Sequence, residues 1–350
     1  MSQIKVLTWV LSLSILAAAS AMADEPQLTF GGPLLGLGTA RDGDLLVADS
    51  GLGVIEVEHG QIERTIVLPG VSDVSPIRHD ALWAIVGGQP VGRDSGQGLY
   101  LLSAGSSTKI ANLFEFEQAN NPDGASAPFE SNPFRVQSLG GFGALITDAA
   151  ANDLLLVDYR GNVRVLAIFP TELTSTANIK ALAGCPSASP FCSFPDMMST
   201  QAVPTGVAIG RDGYIYVGEL KGLPAPTGKS AVWRVSPFAH WAQCGSSPDC
   251  VKVFDSFTSI IDVAAGPDGN LYVVEMDEGS WAAVRVFNKP LGGTINACNV
   301  RTQRCREVAT HVPVPTAITF GKDGSLWATE NALTPGGAEV VRIGHPHPHW

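Results

Sequence analysis

Short apolar runs broken by a polar turn recur along the chain at a fixed interval. In residues 204–219, PTGVAIGRDGYIYVGE, the run Val207, Ala208, Ile209 is followed by Arg211-Asp212-Gly213, then by a β-forming stretch, and ends on Glu219. The runs are too short for helices and Asp-Gly is turn chemistry, so the unit predicts two strands joined by a hairpin. The frame returns in residues 315–330 (PTAITFGKDGSLWATE) and 133–148 (PFRVQSLGGFGALITD), with proline and acid fifteen residues apart each time. Looser copies occupy residues 260–275 (IIDVAAGPDGNLYVVE), 34–49 (LLGLGTARDGDLLVAD) and 71–86 (VSDVSPIRHDALWAIV), the last without the acid. A third apolar strand is expected after each copy, over residues 53–57, 98–102, 154–157, 231–235, 283–287 and 338–343, which makes six repeats.

A unit of three or four strands cannot bury both faces alone and must stack on its neighbours. Six such sheets around an axis predict an all-β fold, a six-bladed β-propeller, in which radial repetition protects the strand edges. Residues 63–68, 108–113, 163–169, 251–257 and 306–310 are candidates for the outer, fourth strands. The sixth copy has none, because only GHPHPHW follows Ile343. The strand-like stretch 27–30 is therefore expected to complete the last blade and close the ring.

With the first strand of each copy running from one face, called the top, the hairpin turns lie at the bottom and the terminal acids return to the top. Asp49, Asp148, Glu219, Glu275 and Glu330 would share that face, together with insertions at residues 87–96, 114–131, 171–203, 220–229 and 331–337.

Composition adds a compartment. Lys5 precedes an apolar run over residues 6–19 and a small-residue cleavage signal, Ala21-Met22-Ala23, so residues 1–23 read as a secretory signal peptide. Residues 24–344 form the propeller and residues 345–350 a flexible His/Pro tail; the product is expected to be exported, to a periplasm or outside the cell. Loss of the leader moves the formal charge from -11 to -12, which disfavours nucleic acid and anionic membranes; membrane insertion is not expected. The six cysteines fall into near neighbours, and pairing by proximity gives Cys185-Cys192, Cys244-Cys250 and Cys298-Cys305, suited to an oxidising compartment.

The terminal acids suit a divalent cation such as calcium, which wants several carboxylate oxygens. Repetition in every blade favours instead a structural ring that accepts backbone N-H groups. Breaks in the repeat are more telling. Thirteen residues before the acid position the six copies read Gly36, Asp73, Arg135, Gly206, Asp262 and Ala317. Asp73 and Asp262, near a top-face channel mouth, are candidates to hold a cation or act as acid and base, with Arg135 orienting an anionic group. The alternative is that Arg135 pairs with a neighbouring acid and plugs the channel. His79 and His311 are candidate general bases, and the alternating His345, His347 and His349 are candidate ligands for a transition metal. No G-x-S-x-G elbow or Walker A loop is present.

The repeat P-x-x-V/I-x-x-x-x-D-G-x-L/I-Y/W-V-x-D/E resembles the NHL and SMP-30/gluconolactonase class of six-bladed propellers. More narrowly, NPFRV at Asn132, TDAAANDLLLVD at Thr147, VLAIFP at Val165, VPTGVAIGRDGYIYVGELKG at Val203, SAVWRVSP at Ser230 and IIDVAAGPDGNLYVVE at Ile260 resemble the ScyD/ScyE family, whose first members are linked to a sunscreen pigment. The resemblance implies the fold; the role read here is that of an exported binding or accessory propeller, in secondary-metabolite or aromatic-compound processing. Its top face, walled by residues 171–203 with Phe191, Phe194, Met197 and Met198, would capture an aromatic small molecule or a partner protein. The gluconolactonase side of the resemblance implies the alternative, a metal-dependent lactonase or related hydrolase.

Overall fold

A computed structural model describes residues 28–78, 80–88, 91–124 and 129–344. Residues 1–23, read above as a signal peptide, His79 and the histidines of residues 345–350 lie outside them. The described chain is a six-bladed β-propeller of antiparallel blades. Blade 1 runs Leu34–Thr39, Leu45–Asp49, Gly53–Glu58, Gln61–Val67, and blade 2 Val71–Arg78, Ala81–Val86, Gly98–Ser103, Ser106–Asn112. Blade 3 is Pro133–Ser138, Gly143–Asp148, Asp153–Asp158, Val163–Ile168, with a short parallel edge from Ala242–Gln243. Blade 4 is Pro204–Ile209, Ile215–Glu219, Ser230–Val235, Cys250–Phe257. Blade 5 is Ile260–Ala265, Leu271–Glu275, Gly293–Asn299, Arg304–Val312.

Blade 6 takes three strands from the end of the chain, Ile318–Phe320, Leu326–Glu330 and Ala338–Ile343. Its fourth is Leu28–Phe30, with Leu28 opposite Val340 and Phe30 opposite Ala338. The expected closure is therefore present. The inner hairpins also turn as the Asp-Gly steps require, with Gly43, Gly213, Gly269 and Gly324 all at positive φ. Six apolar clusters fill the seams, one between each pair of neighbouring blades. Each blade thus buries both faces only because the ring is complete.

Two sequence expectations are corrected. The third strand of blade 5 is Gly293–Asn299, not residues 283–287; the alanine-rich stretch Trp281–Arg285 is a helix. Ala282 and Ala283 are fully buried, and Trp281 is held through Nε1 on the Lys221 carbonyl at 2.8 Å. Alanine favours helix, whereas Thr294 and Ile295 carry the β-branched signal of the true strand. The second correction is the helix Leu113–Asn120, in a segment read as the end of a strand and a loop; Asn112 caps it by accepting the Glu115 N-H.

All three cysteine pairs are disulfides as proximity suggested. Among the described residues no helix is long and apolar enough to cross a membrane.

Candidate functional site

Five inner strands share a device. A register shift of the inner pair falls next to Gly36, Asp73, Arg135, Gly206 and Asp262 in turn. A bulge re-aims the side chain beside it, so these positions turn toward the axis.

Two of the glycines are obligatory by space. A Cβ on Gly36 would lie 2.2 Å from Asp73 Oδ1, and one on Gly206 2.3 Å from the Val263 nitrogen. With Gly36, Gly206 and Ala317 small, Arg135 has room to cross the axis. Its Nε donates to Asp262 Oδ1 at 2.9 Å, one terminal nitrogen donates to the Leu35 carbonyl at 2.7 Å, and the other donates to the Thr316 carbonyl. Blade 3 is thereby tied to blades 5, 1 and 6.

The two aspartates bridge neighbouring blades. Asp73 Oδ2 accepts the Val136 N-H and Asp262 Oδ2 the Ile318 N-H, each at 2.9 Å, while Asp262 Oδ1 also accepts the Val263 N-H. Hydroxyls just above repeat the logic. Ser72 donates to the Pro133 carbonyl, Thr205 to Ile260 and Thr316 to Leu34, each in the next blade.

The three sequence-predicted residues are thus brought together, but as the closed end of a cavity. A cavity of about 440 Å3 runs along the axis, lined near one end by Asp73, Arg135 and Asp262 and near the other by Ile77, Phe320 and the hairpin-turn residues Arg41 and Gly140. It extends toward the bottom face, opposite to the expected top-face mouth. The physical reason is the guanidinium, whose bonds across the axis seal the top.

Burial pushes the Asp73 carboxyl up to about 7, against the opposing pull of Arg135 and the Val136 N-H. Arg135 is held above its ordinary range by Asp262 and Asp73, which outweigh its burial. An acid whose folded pKa is raised favours folding most when protonated, so the contribution of Asp73 to stability falls as pH rises from about 4 to about 7 and is level above. Asp73→Asn keeps an oxygen for the Val136 N-H. It is expected to flatten this slope, read as melting midpoints of both proteins at a series of pH values.

The five terminal acids are engaged in different ways. Asp49 is fully buried and accepts the N-H groups of Gly32, Gly51 and Leu52. Asp148 accepts the Ser131 hydroxyl and the N-H groups of Asn132, Ala150 and Ala151; burial still raises its carboxyl. Glu219 accepts Trp233 Nε1 at 3.0 Å and faces the buried Lys221 ammonium at 3.1 Å. Glu275 accepts the Thr258 N-H and Asn296 Nδ2, and burial lifts it to about 7. Glu330 is raised by partial burial and by Glu339 opposite it. Asp49→Ala is expected to cost about 1–3 kcal/mol, since buried N-H groups lose their acceptor, and a shift in denaturant midpoint checks it.

The insertion at residues 171–203 packs down instead of standing open. Its hairpin, Glu172–Ser175 with Met197–Thr200, flanks the helix Ala177–Leu182 and the Cys185–Cys192 bridge. Phe191 packs on Phe194 and on Phe287 of blade 5 at 5.5 and 5.4 Å, and Asn178 Nδ2 donates to the Ala225 and Gly279 carbonyls. Glu172 links Lys221 and Lys252 at 2.8 and 3.0 Å. Met197 stays exposed and Met198 half-buried. His311 lies exposed on the outer strand of blade 5, remote from the inner strands.

Sequence reasoning did not single out Arg41 at the cavity's far end. Its position two residues after an inner strand was the available signal.

No protein-family model matches the chain, and no curated protein does. Among solved structures, virginiamycin B lyase from Staphylococcus aureus is 13% identical with TM-score 0.52, covering 91% of this chain and 89% of that one. A gluconolactonase from Xanthomonas campestris is 11% identical with TM-score 0.51, covering 89% and 86%. The calcium-binding protein regucalcin from Agrobacterium tumefaciens is 14% identical with TM-score 0.52, covering 92% and 94%. At these identities the likeness is one of fold alone: this chain has the propeller architecture on which a lyase, a lactonase and a calcium-binding protein are built.

Proposed function

We propose that the protein is an exported, ScyD/ScyE-type propeller that binds a small molecule in its central cavity, entered from the hairpin-turn face, in a binding or accessory role. The observation that carries the reading is the cavity itself, about 440 Å3, which falls within the range of small-molecule pockets. Its walls include Leu37, Val207, Val263, Ile318 and Phe320, and its closed end carries Asp73 beside a guanidinium each of whose nitrogens already donates a hydrogen bond. Such a site suits a compact aromatic or alicyclic body with one hydrogen-bond donor directed at Asp73. The disulfides fit an oxidising compartment.

A second reading, a lactonase or related hydrolase, is favoured by Asp73, whose carboxyl near 7 suits proton transfer. The channel residues do not fit a catalytic divalent cation. Both Asp262 oxygens accept hydrogen bonds, and one of them is already paired with the Arg135 cation.

The test is a panel of aromatic alcohols, phenols and lactones screened against the mature protein by thermal shift and by hydrolysis assay. Binding lost in Thr39→Trp, which crowds the cavity wall, and weakened in Asp73→Asn supports the binding role. Turnover lost in Asp73→Asn at unchanged binding supports the hydrolase. Ligands indifferent to both substitutions would remove the cavity from consideration.

A further inference from the structure

Away from the axis, on the top of blade 3, acids gather beside the helix Leu113–Asn120. Asp148 and Asp153 stand directly opposite each other on adjacent strands. Their side chains therefore leave the same face of the sheet, with Cβ atoms about 5 Å apart. The two have unequal surroundings. Asp148 accepts four donors. Asp153 is fully buried, and neither of its carboxylate oxygens has a partner.

Glu117 comes in from the helix, 3% exposed, with Oε2 also unpartnered. Asp123 borders the group, held by Asn152 Nδ2 at 3.0 Å. The charges acting on the two are all acidic: Asp148 and Asp123 on both, and Glu117 on Asp153 as well. Like charges opposite one another in a sheet are destabilising, and a buried carboxylate without a partner is more so. Simple packing does not call for two acids here, since any apolar side chain would fill the same space at lower cost.

We propose that Asp153 and Glu117 are the carboxylate ligands of a calcium site where the helix meets blade 3. Among the described residues no three His, Cys, Asp or Glu side chains form a ready-made ligand set, so amide or main-chain oxygens and water complete the shell. Calcium accepts such an irregular set of oxygens, whereas magnesium demands near-octahedral geometry and zinc favours nitrogen and sulfur. The ion pins the connection from blade 2 onto blade 3. It lies apart from the central cavity and does not depend on the function proposed for it.

The test uses the mature protein stripped with EDTA. Calcium chloride at about 1 mM is expected to raise the melting midpoint by roughly 5 °C, and magnesium chloride by clearly less. Asp153→Asn is expected to melt above the wild type in EDTA, because the buried charge is gone, and to show no calcium shift. Glu117→Gln, which keeps the side-chain volume, is expected to weaken calcium binding by at least about tenfold in a calorimetric titration. A wild-type melt that calcium leaves unmoved, or an equal calcium shift in both variants, overturns the proposal. Should Asp153→Asn fail to fold, the titration of Glu117→Gln decides.

Discussion

Replacing Arg135 with leucine is expected to lower the unfolding free energy by about 3–5 kcal/mol, the usual cost of removing one partner from a buried ion pair. The side chain is buried, and its loss strands Asp262 Oδ1 together with the carbonyls of Leu35 and Thr316. Those groups sit on three different blades, so the damage falls on the ring as a whole. Lysine should recover little. A point charge replaces a planar fork whose donors reach in several directions at once. Adding Asp262→Asn to Arg135→Leu is expected to return part of the stability, because the amide oxygen still accepts the Ile318 N-H and the unpaired charge is gone. Urea unfolding of the four proteins reads the effect as a shift of midpoint at constant slope. A loss under about 1 kcal/mol for Arg135→Leu would mean that water enters the channel end and satisfies those carbonyls. The seal between cavity and top face would then not be a property of the folded ring.

The repeat made the blades legible because each hairpin carries its own chemistry. Asp-Gly turns, β-branched runs and a terminal acid are local signals, and six copies at one spacing leave a single way to bury their faces. The convergence of Asp73, Arg135 and Asp262 was legible for the same reason, since a fixed offset from the acid places equivalent residues at equivalent heights. The direction of the cavity was not. It depends on whether Arg135 stands clear or lies across the axis, and that is decided by Gly36, Gly206 and Ala317, which are far from it in sequence. The sequence did offer the pairing of Arg135 with a neighbouring acid as the alternative to an open mouth, and the bond to Asp262 is that alternative; what it left undecided was which of the two the small residues opposite would allow. The helix Trp281–Arg285 was misread because an apolar run this short has no decisive period. The Glu117 and Asp153 pair escaped notice because nothing local marks it: one acid is an ordinary helix residue, and only the docking of that helix on blade 3 buries both.

Phe30→Ala is expected to cost about 3–5 kcal/mol, and deletion of residues 24–31 more than that. Phe30 is 3% exposed and packs in the seam between blades 6 and 1 with Leu34, Ala338 and Val340. The side chain therefore belongs to the one seam that covalent order cannot close, because the strands it joins lie at opposite ends of the propeller. Deletion removes the seam residue and also the backbone partners of Ala338, Glu339 and Val340. A strand edge left unpaired in this way is a template for another chain. The point substitution should thus shift the melting midpoint while the protein stays monodisperse, whereas the deletion should shift it further and bring concentration-dependent association. Gel filtration at two protein concentrations separates the outcomes. A deletion variant as stable as Phe30→Ala and free of association would show that three strands suffice for blade 6, and that the ring holds by the apolar seams without its closing strand.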